Sequence, residues 1–291
     1  MFAIATEQQQ YQTYILSDSS TESRLEVVPQ RGGIITRWQV QGEDILYLDA
    51  ERFADPNLSI RGGIPILFPI CGNLPDNTYT YQGKQYTLKQ HGFARDMPWE
   101  VTDQETQDLV SLTLVLNSND HTRAVYPFEF QLAFTYELLG NGLNIRQRYT
   151  NNSTEPMPFS TGLHPYFQTS DKTQLEFNIP ASEYQDQRTK ITHYFNGSFD
   201  FNADEIDVAF QKLTSHSTSV TDASRRMQLT LEYDNAYSAV VFWTVKGKPY
   251  YCIEPWTATR NALNTGENLI YLDPGASLET LVSLTVNFSE N

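Results

Sequence analysis

The run FEFQLAFTYEL, Phe128 to Leu138, alternates without a break. Phe128, Phe130, Leu132, Phe134, Tyr136 and Leu138 fall on one side; Glu129, Gln131, Ala133, Thr135 and Glu137 fall on the other. A period of two belongs to an extended strand, and one apolar face against one polar face marks antiparallel pairing over a core. NGLNIRQRYTNN follows after Gly140, Asn141 and Gly142, so the two segments are predicted to form a hairpin. VSLTLVLN (Val110 to Asn117), SAVVFWTV (Ser238 to Val245) and TLVSLTVNF (Thr280 to Phe288) alternate in the same way. Turn clusters such as NLPDNTY, NNSTEPMP and VKGKP separate the strands.

Helical periodicity nowhere exceeds two turns, and only DAERFAD and DEIDVAFQKL have room for a short helix or an irregular turn. The 17 Tyr, 16 Phe and 4 Trp suit pleated, half-buried surfaces and add to the strand signal. No internal repeat and no linker divides the 291 residues, so 1–291 is read as one domain. A chain with this many strands must stack or close its sheets to protect their edges. The expected fold is all-β, a large antiparallel β-sandwich.

Charge narrows the partners. With 20 Lys and Arg against 35 Asp and Glu, the net charge is −15. Such a surface repels phosphate backbones and anionic lipid heads, so neither nucleic acid nor membrane is an expected partner. A local basic pocket for one anionic ligand is compatible with that field. The acidic surface predicts solubility, with a monomer or weak dimer as the expected assembly. Cys71 and Cys252 are too few for a disulfide framework, and buried apolar filling is their ordinary role. No apolar run reaches the length of a membrane span, and MFAIATEQQQ lacks the charged start and apolar stretch of a signal peptide. The cytoplasm is the expected compartment.

Three regions carry residues of chemical interest. In the first, Arg61 precedes Gly62 and Gly63, and Gln90, His91 and Arg95 follow in QHGFARDMPWE. Each group read singly is a solvated loop. In the second, STGLHPYF, Pro165 pushes His164 toward extended geometry, with Gly162 and Tyr166 on its side and Leu163 and Phe167 on the other. The glycine leaves space beside the imidazole and the tyrosine brings a hydroxyl near it. The residues alone leave both a packed core histidine and a proton donor open. In the third, KPYYCIEPW, Glu254 shares a face with Tyr250 and Cys252. A carboxylate there is costly to bury without partners, which makes it a candidate general base. The chain has no GxSxG elbow, no phosphate-cradling glycine loop and no HExxH. Its five histidines (91, 121, 164, 193, 216) show no metal-ligand spacing, so neither metal nor other cofactor is expected.

RGGIPILFPICG, QHGFARDMPWE, STGLHPYF, EIDVAF, CIEPW and LDPGASLE stand in that order from Arg61 to Glu279, about three quarters of the chain. Together they resemble the aldose 1-epimerase (mutarotase) superfamily, which includes hexose-6-phosphate mutarotases. The resemblance implies a β-supersandwich with its site in a groove on one sheet, and interconversion of the α and β anomers of an aldose without a cofactor. It implies His164 as general acid and Glu254 as general base, with Arg61, His91 and Asp207 holding the sugar. Gln90 and Arg95 are similar to ligand-contacting positions of the sugar-phosphate branch. Asp204 stands close to Asp207 and is the other carboxylate available in that motif. The expected ligand is a free aldohexose, with a hexose 6-phosphate, through Arg61 and Arg95, as the alternative. A non-catalytic carbohydrate-binding protein would not need both His164 and Glu254, and a glycosidase would need two carboxylates flanking the bond.

Overall fold

The structure, a computed structural model, describes residues 1–289. The alternating run forms the strand Phe130–Leu139, paired antiparallel with Gly142–Asn151 in the register Leu139 to Gly142. That hairpin lies inside an eight-stranded sheet with the order Leu175–Asn178, Ser217–Asp222, Met227–Tyr233, Ser277–Phe288, Gly142–Asn151, Phe130–Leu139, Val110–Asn117, Glu100–Glu105. A five-stranded antiparallel meander built from Phe2–Gln8 through Glu43–Asp44 packs against Val110–Asn117 and Phe130–Leu139.

A second eight-stranded sheet runs Thr192–Tyr194, Glu183–Asp186, Glu205–Phe210, Ala239–Val245, Tyr250–Trp256, Gly162–Leu163, Ile66–Leu67, with Tyr166–Gln168 also pairing to Tyr250–Trp256. Both large sheets contribute one face to a single apolar cluster: Leu132, Phe134, Tyr136 and Ile145 from the first, Phe210, Phe242, Tyr251 and Ile253 from the second. Helices are minor. The longest among the described residues is Asp120–Val125, six residues against 12 in the longest strand. The fold is an all-β antiparallel sandwich, as the alternation predicts.

Of the two segments read as short helices or turns, DAERFAD contains a helix, Ala50–Ala54, whose start is capped by Asp49 accepting the Arg52 N–H. DEIDVAFQKL does not. Glu205–Phe210 is a strand between Glu183–Asp186 and Ala239–Val245. Ile206, Val208 and Phe210 are all buried in the sandwich core, so the period-two apolar spacing of EIDVAF outweighs any helical tendency. SAVVFWTV also differs from a half-buried strand: Ala239 through Thr244 are buried on both faces. The inner face meets the sandwich core, and the outer face is roofed by loops that carry polar side chains. Both cysteines are buried and unpaired, and burial pushes their thiols upward.

Phe242 stacks on Phe199 at 4.1 Å between ring centres, with its ring in the common core. Phe242→Ala is expected to lower stability by about 3–5 kcal/mol, read as a fall in the denaturation midpoint in urea.

Candidate active site

The outer face of the second large sheet presents alternate residues of three neighbouring strands: Glu205 and Asp207, then Val241 and Trp243, then Glu254 and Trp256. Loops close over them. Arg61, Gln90, His91, Arg95, His164, Tyr166 and Arg260 complete a cleft of about 230 Å³. The seven residues singled out in the sequence (Arg61, Gln90, His91, Arg95, His164, Asp207 and Glu254) therefore share one cleft. Asp204 is exposed and does not line it.

Backbone packing holds each wall. Arg61 is placed by the Gly62–Gly63 crossing, where a Cβ on Gly62 would lie 2.5 Å from Leu48 Cα and the φ of 137° excludes other side chains. The Arg61 guanidinium rests 4.9 Å over the Trp243 ring. Trp243 is turned by its indole N–H, which donates to Glu205 Oε1 at 2.8 Å. His91 and Gly72 bind each other twice: the His91 backbone N–H donates to the Gly72 carbonyl at 2.7 Å, and the Gly72 N–H donates to His91 Nδ1 at 3.0 Å. With Nδ1 accepting, the proton of the neutral ring sits on Nε2.

His164 bridges the strands Gly162–Leu163 and Tyr166–Gln168. Its backbone N–H donates to the Pro65 carbonyl, and its ring lies flat on Tyr166, with centres 4.7 Å apart and planes 8° apart. Leu163 and Phe167 point into the core on the other side. His164 Nε2 is 3.4 Å from Glu254 Oε1, and Glu254 Oε2 accepts the Trp256 indole N–H at 3.1 Å. Glu254 is 1% exposed and His164 8%, so both groups are shielded from bulk water.

Burial dominates their protonation. It pushes Glu254 well above the usual carboxylate range, an effect the nearby Asp207 charge adds to and Arg260 opposes. It pushes His164 well below the usual imidazole range, with Arg95, Arg61 and Arg260 acting in the same direction. His91 is held neutral by burial and by Arg95. Both shifts favour the uncharged forms of two groups that stand 3.4 Å apart. The resting pair is therefore a protonated carboxyl beside a neutral imidazole.

Sequence reasoning missed two residues of the wall. Arg260 binds Asp207 through both carboxylate oxygens, at 3.1 and 2.9 Å, and lies 5.4 Å over the Trp256 ring. Its stem passes Gly72, where a Cβ would lie 2.2 Å from Arg260 Cγ. Nothing local announces this pair, whose members stand 53 positions apart. Trp243 was legible only as a member of an alternating strand; its parity with Val241 assigns it to the cleft face.

Residues 15–285 match the family described as aldose 1-epimerase. The chain belongs to the aldose 1-epimerase family. Its fold superposes with a TM-score of 0.95 on the Slr1438 protein of Synechocystis sp. PCC 6803, 46% identical over 99% of this chain and 100% of that one. A galactose mutarotase-like protein from Clostridium acetobutylicum shares the fold at a TM-score of 0.83 and 21% identity, covering 99% of both chains. A Cenchrus ciliaris protein named "Putative glucose-6-phosphate 1-epimerase" is 26% identical over 231 residues, 75% of this chain and 67% of that one. The cleft of this aldose 1-epimerase family member lies on the outer face of its second eight-stranded sheet.

Arg260 lowers the protonation tendency of both Asp207 and Glu254. Arg260→Gln is expected to raise the titration of both carboxyls, followed by carboxyl carbon NMR shifts against pH. Unchanged titration of Glu254 would show that the guanidinium field does not reach it.

Proposed function

We propose that this protein interconverts the α and β anomers of an aldohexose, with Glu254 and His164 as its acid–base pair. The observation that carries the reading is the 3.4 Å separation of the His164 and Glu254 side chains on the floor of a polar cleft. Anomer exchange requires opening the ring to the aldehyde, turning about C1–C2 and closing on the other face. The reactive form is the ion pair, reached when the Glu254 proton passes to His164 across 3.4 Å; in the opening step Glu254 as carboxylate takes the proton of the C1 hydroxyl. The O1 electron pair forms the carbonyl, the C1–ring-oxygen bond breaks, and the ring oxygen takes a proton from His164 as imidazolium. Closure reverses both transfers, so the ion pair is restored after each turnover.

Each positioned transfer contributes roughly 10²–10⁴-fold. The remaining groups hold the ring. Asp207 accepts from hydroxyls, Arg61 donates to them, and the His91 Nε2–H donates to a sugar oxygen because Nδ1 is already committed to Gly72. Trp243 and Tyr166 supply flat apolar walls beside the polar groups.

One observation favours a second reading, a hexose 6-phosphate. Arg61 and Arg95 both line the cleft, and among the described residues neither forms an ion pair with a carboxylate. Two such guanidiniums suit a phosphate, where paired donors bind strongly.

Proton NMR exchange spectroscopy on glucose, galactose and glucose 6-phosphate tests the proposal. His164→Asn and Glu254→Gln are each expected to slow exchange by roughly 10²–10⁴-fold, with sugar affinity held within about tenfold. Full exchange in either variant would remove that residue from the mechanism. Arg95→Ala is expected to reduce kcat/KM for the phosphorylated sugar more than for the free one if the second reading holds.

The pH profile provides a separate check. A second proton on the pair places positive charge in a buried site already facing three arginines, so it is disfavoured. The acid limb of kcat/KM is expected below pH 6.5, the ordinary imidazole value. An acid limb at or above that value would contradict the pairing of a protonated carboxyl with a neutral imidazole.

A further inference from the structure

The strand face that carries Glu254 also carries Cys252, a thiol for which sugar binding and proton transfer have no use. Cys252 is fully buried, paired across the sheet with Tyr166 on one side and Trp243 on the other. His164 packs against both of these rings, Tyr166 face to face and Trp243 edge to face. One ring nitrogen of His164, the Cys252 sulfur and one Glu254 oxygen lie within 4.8 Å of one another.

We propose that His164, Cys252 and Glu254 form a binding site for a thiophilic divalent cation, Zn²⁺ or Cd²⁺, which stops turnover by occupying the acid and the base together. Bonds of about 2.0–2.3 Å from zinc to nitrogen, oxygen and sulfur require ligand atoms a little under 4 Å apart. The nitrogen–oxygen pair, at 3.4 Å, is already inside that limit, so small side-chain movements complete the set. Three protein ligands leave a fourth position for water, and a metal held by Glu254 and His164 competes with sugar for the same groups. The mixed nitrogen, sulfur and oxygen set selects borderline-soft cations over Mg²⁺ and Ca²⁺, which take oxygen ligands.

Binding requires the thiolate, so the Cys252 proton passes to solvent as the metal–sulfur bond forms. Two features keep affinity well short of a structural four-ligand zinc centre. Arg61, Arg95 and Arg260 surround the cleft and oppose added positive charge. His164 Nδ1 has no hydrogen-bond partner among the described residues, so the bond that usually orients a metal-binding imidazole is missing. Binding stands on this geometry alone; the loss of turnover rests on the acid–base reading above.

The test is titration of the full chain with Cd²⁺, following the ultraviolet thiolate-to-cadmium charge-transfer band, beside anomer exchange with added Zn²⁺. The expected result is one thiolate-bound equivalent per chain, retained in Cys71→Ser and lost in Cys252→Ser. Zn²⁺ is expected to inhibit the wild type, saturating sugar to protect it, and Cys252→Ser to require about tenfold or more Zn²⁺ for the same fractional inhibition. Mg²⁺ is expected to have no effect. A band that persists in Cys252→Ser, or equal zinc sensitivity in wild type and Cys252→Ser, would overturn the proposal. Should Cys252→Ser fail to fold, absence of the band in wild-type protein would overturn it equally. An intact band with no turnover on any sugar would support the cation site while removing the catalytic reading.

Discussion

A carboxyl group buried in the middle of a sheet is the constraint around which this structure is arranged. Glu254 sits on Tyr250–Trp256, a strand buried along its whole length, and has almost no access to water. Burying that group alone would be strongly unfavourable. The neighbouring indole N–H, the His164 ring and the guanidiniums of Arg260 and Arg95 offset the cost. Each of these is in turn held by something else. Trp256 packs at the sheet centre, His164 lies on Tyr166, and Arg260 is clamped by Asp207 in space that Gly72 leaves free. Rigid placement of the carboxyl and rigid placement of its partners are one requirement.

The same burial creates the chemistry. In water, a carboxyl and an imidazole would titrate separately, near about 4.3 and about 6.5, and both be charged between those values. In the cleft, burial disfavours both charges and favours a protonated carboxyl beside a neutral imidazole. The proposed reaction, which takes a proton from one oxygen and gives one to another, needs two such groups within reach of one sugar, and 3.4 Å separates these. His91 contributes differently. Its backbone and its ring each make one bond to Gly72, and the ring is held neutral with its Nε2–H free to point into the cleft.

Much of this was legible along the chain because strands report their faces directly. Alternation in FEFQLAFTYEL identified the strand and its buried side, and the turn residues after it identified the hairpin. The parity of KPYYCIEPW placed Glu254 with Cys252 and opposite Ile253, as observed. DEIDVAFQKL was misread because its polar start and end resemble a short helix, while only the alternation of Ile206, Val208 and Phe210 reflects the sheet that receives it. The strands lining the cleft gave no warning that both their faces would be buried, since a face covered by loops looks the same in sequence as one facing water.

Alternation and ordered motifs, which depend on nearest neighbours and on the pleat of a strand, were enough to determine the all-β class, the family and the candidate residues. Contact between those residues was decided elsewhere. The Asp207–Arg260 clamp, the Gly72–His91 exchange and the approach of His164 to Glu254 join positions 53, 19 and 90 residues apart. No local pattern encodes such distances, because each arises from the register of one strand against another and from which loop closes over which face. Residue spacing therefore determined what groups were available, and sheet packing decided how far apart they stand and how little water reaches them.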